Sequence, residues 1–107
     1  MAKKLELPRE WVFDGKEFKP KSGATSSNTW VFNGKEFKPK SGATSSNTWV
    51  YDESNEKIKP KSGSSSSNTW IVNATQLKPV SGANLSNTYD RNGQPIAVCI
   101  AKVIGLF

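Results

Sequence analysis

The sequence predicts an all-β protein built from tandem β-hairpins, and three observations carry that prediction. The first is a period. Residues 11–29 and 30–48 are one segment written twice, differing only at Asp14 against Asn33, and looser copies follow at 49–69 and 70–88. The second is what each copy contains. An aromatic and β-branched run (Trp30-Val31-Phe32) precedes an Asn-Gly or Asp-Gly pair, and a return run alternates polar with apolar residues (Lys35-Glu36-Phe37-Lys38). Such runs suit strands, and the pair between them supplies the positive φ angles of a tight turn. The third is punctuation: Pro and Gly recur too often to leave ten residues of helical period.

The elements follow in order. Residues 1–10 read as an extended arm, since Pro8 disfavours helix at Leu7. The four units begin at Trp11, Trp30, Trp49 and Trp70, and a fifth begins at Tyr89 and runs to residue 94. Unit three carries two extra residues, and both fall in its turn, where an insertion is cheap. A two-residue turn at Asn33-Gly34 sets Phe32 opposite Lys35, Trp30 opposite Phe37 and Val31 opposite Glu36. Trp30, Phe32 and Phe37 then share an apolar face, while the other face is mixed, as in a sheet covered on one side. The aromatic column is expected to stack from unit to unit. Lys-Pro (19–20, 38–39, 59–60, 78–79) ends each return strand, because proline removes a ladder donor. Ser-Gly and Asn-Thr bracket a polar connection to the next unit.

The ending differs in kind. In 95–107, Ile96, Val98 and Ile100 alternate with Ala97, Cys99 and Ala101, and Lys102 is the sole charge. This reads as an apolar C-terminal strand that closes the array. The array itself is left open between a solenoid-like and a barrel-like stack. Unpaired, such a strand would aggregate. It either covers the open end of the stack or meets another chain, and the second is preferred. The expected oligomer contact is Ile96, Val98, Ile100, Val103, Ile104, Leu106 and Phe107.

Composition narrows the function. The 107 residues suggest one domain, and 35% hydrophobic content is thin for it, which favours association with copies of itself. One cysteine and no histidine exclude a disulfide within the chain, a His-bearing metal site, and Ser/His or Cys/His catalysis. The acids sit in turns or opposite lysines, with no repeated pair suited to acid–base work. No enzyme activity, cofactor or metal is expected. The N-terminus lacks the apolar core of a signal peptide, and no window reaches the roughly 20 apolar residues of a membrane helix.

The net charge of +6 comes from 15 Lys and Arg against 9 acids, nearly all the bases being Lys. Lys19, Lys38, Lys59 and Lys78 fall in one column and would align if the units stack. They are the candidate contact for a polyanion, an anionic glycan or a cell surface. The plainer reading is a solvated basic face. Nucleic acid is not expected, since Arg and exposed aromatics are lacking. The four Trp could form a sugar platform, but their apolar strand neighbours favour a core role.

Two resemblances follow. Hairpin repeats of this length with aromatics resemble the choline-binding repeats of bacterial surface proteins. Here the second strand has one apolar residue, Phe18 or its equivalent, where that family has an aromatic pair, so no ligand residue carries over. The repeat-bearing chain 11–107 also resembles the small structural proteins of tailed bacteriophages: fibre, tail or head-decoration subunits. That resemblance implies a non-enzymatic assembly protein in a virion put together in the host cytoplasm. Its partners would be copies of itself and other virion proteins. A repeat-type carbohydrate-binding adhesion module is the alternative.

Overall fold

The computed structural model describes residues 3–84 and 86–107. Among these residues ten strands form one sheet, and a single helix follows them. β1 is Lys3–Lys4. The hairpins pair β2 (Trp11–Phe13) with β3 (Glu17–Pro20), β4 (Trp30–Phe32) with β5 (Glu36–Pro39), β6 (Trp49–Asp52) with β7 (Lys57–Pro60), and β8 (Trp70–Val72) with β9 (Gln76–Pro79). β10 is Tyr89–Asp90 and α1 is Ile96–Val103. Strands β2 to β10 lie in sequence order, all antiparallel, and β1 adds parallel to β10 at the far edge. The tandem hairpins predicted from the repeat are therefore present, one per unit.

The register differs from expectation by two residues. Phe32 pairs with Phe37, Trp30 with Pro39 and Val31 with Lys38. The turn thus holds four residues between paired positions rather than two. Asn33 is the cause. Its side-chain oxygen accepts hydrogen bonds from the amides of Lys35 and Glu36 at 3.0 and 2.8 Å, and Gly34 takes φ +95° between them. Asp14 and Asn73 do the same in their units. An even shift keeps every side chain on its expected face. In unit three Asp52 instead binds Ser54 and Asn55 within the longer turn.

The C-terminal segment is a helix, not a strand. Its run of large and small apolar residues is compatible with either. Its ends decide. Pro95 stands at the N-cap, and Gly105 at φ +83° ends the helix. There the amide of Leu106 reaches Ala101 O and that of Gly105 reaches Lys102 O, a Schellman closure. Ala97, Val98, Cys99, Ile100 and Ala101 are fully buried in succession. Five consecutive helical residues point in all directions, so α1 is enclosed rather than laid on a surface.

The sheet encloses it by curling. Nine strand spacings would span about 43 Å if flat, yet the longest extent of the molecule is 35 Å. β1 and β2 are opposite edges but are joined by residues 5–10, a reach of about 25 Å at most. Inside the curl, Phe107 lies 6.1 Å from the Phe18 ring on β3. Lys102 Nζ is 5.2 Å from Phe107 and 5.5 Å from Tyr89 on β10. The helix end thus touches strands far apart in the sheet. The two edges do not pair, so the curl stays open and is not a closed barrel.

The core is the inner face plus the helix. Phe18, Phe37, Ile58 and Leu77, one from each return strand, are fully buried, and Leu5 from the arm joins them. Each such side chain contributes about 1.5–3 kcal/mol on burial. The tryptophans are half-buried, and the first two stack within their own unit rather than from unit to unit: Trp11 on Phe18 at 4.7 Å and Trp30 on Phe37 at 5.2 Å, both nearly parallel.

Candidate functional site

Strand alternation places Val12, Glu17, Lys19, Val31, Glu36, Lys38, Val50, Lys57, Lys59, Ile71 and Lys78 on the outer face, opposite the core. The column Lys19, Lys38, Lys59 and Lys78 does line up there, each residue paired across a hairpin with Val12, Val31, Val50 or Ile71.

Its electrostatics are not uniform. Glu17 accepts from Lys19 at 3.3 Å and from Lys40 of the next unit at 2.9 Å. Glu36 accepts likewise from Lys61 at 2.8 Å and forms a looser ion pair with Lys38 at 3.7 Å. Bonds from Lys40 and Lys61 respectively, more than burial, hold these two carboxyls below their ordinary value. Units one and two are therefore locally compensated. In unit three Lys57 stands where Glu17 and Glu36 stood, and Val80 stands where Lys40 and Lys61 stood. Among the described residues, Lys57, Lys59 and Lys78 have no acid within salt-bridge distance.

The connections form a second repeated feature. The Asn47 amide clamps its loop, accepting from Thr44 N at 2.7 Å and donating to Gly42 O at 3.1 Å. Asn28, Asn68 and Asn87 repeat both bonds. Thr48 and Thr69 are buried behind the loops and donate to Thr44 O and Ser65 O. The Ser/Thr/Asn-rich segments are thus fixed shapes.

Two surface hollows adjoin Lys59. One, of about 480 Å³, lies between the turns of units two and three and is bordered by Lys35, Tyr51, Asp52, Glu53 and Ser54. The other, of about 290 Å³, lies between β7 and the connection that follows it. Burial pushes the Tyr51 phenol above its ordinary value.

The residues of the expected oligomer contact lie mostly against the chain's own core. Val98 and Ile100 are fully buried inside the curl, and Ile96, Val103, Ile104, Leu106 and Phe107 are half-buried against the same core. The apolar segment meets its own sheet. Cys99 is sealed in with it, and burial pushes its thiol up to about 11.

No helix among the described residues is long and apolar enough to cross a membrane. Comparison of the chain with family models, curated proteins and solved structures brought up no match.

Proposed function

We propose that the protein is a non-enzymatic structural module that meets its partners through the outer face of its curled sheet, and that it serves in a phage particle as a fibre, tail or head-decoration component. One observation supports this reading above the others. The interior is filled by the chain's own helix, while a lysine recurs at one outer position of every hairpin, at Lys19, Lys38, Lys59 and Lys78. Repeated like groups on a rigid wall suit repeated contacts. Association with copies of itself or with other particle proteins then uses the outer face and the strand edges, not the C-terminal segment. The test is mass spectrometry of gradient-purified particles from a producing culture. The chain should band with the particles in fixed ratio to their major proteins. Its presence only in the soluble fraction overturns the assignment.

A repeat-type carbohydrate-binding module is the second reading. It is favoured by the hollow between the turns of units two and three, where two acids and two lysines border a space of sugar size. A Lys35→Gln, Glu53→Gln variant should abolish any glycan-array signal that arises there.

A further inference from the structure

Three departures from the repeat occur at one place. Units one and two join to their successors by an ion pair that crosses the intervening strand: Lys40 to Glu17 over β4, and Lys61 to Glu36 over β6. At the next junction the acid has become Lys57 and the base has become Val80. The connection between them also changes, since Ser64 replaces the Ala found at 24, 43 and 83. All three residues border the same groove of about 290 Å³, together with Lys59, Ser65 and Ser66. Where the earlier junctions are bridged by opposite charges, this one has two ammonium groups on one wall, hydroxyls on another, and Val80 among them. Val80 is the exposed large hydrophobic residue of the described chain, at 36%. Lys78 adds a further positive charge across Ile71 from Lys57.

We infer that the junction of units three and four is a binding site for an acidic polysaccharide. Lysine ammoniums meet carboxylate or sulfate groups as point charges. The serine hydroxyls exchange hydrogen bonds with sugar hydroxyls, and Val80 meets the apolar face of a ring. The site lacks the planar guanidinium groups and exposed aromatic rings that hold nucleic acid through paired hydrogen bonds and base stacking. Asp52 faces Lys57 across β6 and β7, and its carboxylate is engaged by Ser54 and Asn55 within the turn. The inference rests on the reading of the outer face as the contact surface. It is measured on the isolated protein, so its outcome is independent of whether the chain is found in particles.

The experiment titrates the whole protein with a heparin hexasaccharide, followed by calorimetry and amide chemical shifts. A Lys57→Glu, Val80→Lys double variant rebuilds the ion pair of the earlier junctions. It should weaken binding about tenfold or more at an unchanged melting temperature, while Lys16→Gln, in the exposed turn of unit one, leaves binding intact. Lys57→Gln alone is the milder variant should the double one misfold, and it should give a smaller loss in the same direction. Affinity should fall steeply with added salt. Three results overturn the proposal. One is binding indifferent to both Lys57 variants. Another is an equal loss with Lys16→Gln, which would mean a diffuse basic face. The third is tighter binding of a charge-matched oligothymidylate through the same residues, which would make the site one for nucleic acid.

Discussion

At the scale of single residues, the repeat is explained by what each column does. Phe37 and its equivalents fill the core, Asn33 shapes the turn, and Asn47 clamps the connection. The clamp is the least obvious of these. Asn47→Ala removes two side-chain-to-backbone bonds from an exposed loop and should cost about 1 kcal/mol in urea unfolding; a loss below a few tenths would mean the loop holds its shape without the amide. Cys99 gives a second expectation. Its thiol is enclosed and its pKa is raised, so little thiolate is available at neutral pH. A thiol reagent should label it only as fast as the chain unfolds, with denaturant bringing rapid, complete labelling. The faces of the strands were legible because alternation survives any even shift of register. The register itself was not, because Asn-Gly is compatible with more than one loop length. The Asn33 side-chain bonds select the longer loop.

At the scale of elements, the hairpins were written in the sequence and the helix was hidden in it. Strand signals repeat and reinforce one another across units. The helix occurs once, and Lys102 in its last turn is too little to mark a polar face, because most of the helix is enclosed. Its signal was the bracket of Pro95 and Gly105 around an apolar run, a pattern of ends rather than of period. The consequence for the C-terminus is direct. Removing residues 96–107 should not yield a folded protein of altered oligomeric state. It should empty the curl, with loss of near-ultraviolet dichroism and aggregation of the exposed inner face. A truncated chain with native tryptophan signals would contradict the enclosed position of α1. Similarly, the lysine column was visible as a row, but its division was not. Charge compensation depends on Lys40 and Lys61 reaching over a strand into the preceding unit, a relation that the one-unit alignment does not display.

At the scale of the whole molecule, acid stability follows from the compensated half. Glu17 and Glu36 titrate below their ordinary value of 4.5, and Asp14 and Asp52 below 3.8, chiefly through hydrogen bonds from lysines, backbone amides and turn side chains. Folded-state values that are depressed contribute stability above the unfolded values, and that contribution is lost as pH falls through the folded ones. The melting temperature should therefore hold from neutral pH to about 5 and decline below 4.5. A Glu17→Gln, Glu36→Gln variant should show a shallower decline, and an identical slope would remove these pairs from the account. The wrapped arrangement also bears on descent. The segments 11–29 and 30–48 look like a recent copying event, and an array that lengthens along a free axis could go on accepting copies. A wall that must fit around one short rod cannot. Each added unit brings two strands, about 10 Å of girth, with nothing inside to meet it. Copy number in this lineage is thus tied to the thickness of the plug, and a gene that gains or loses a unit is expected to carry a matching change in the codons for its last helix.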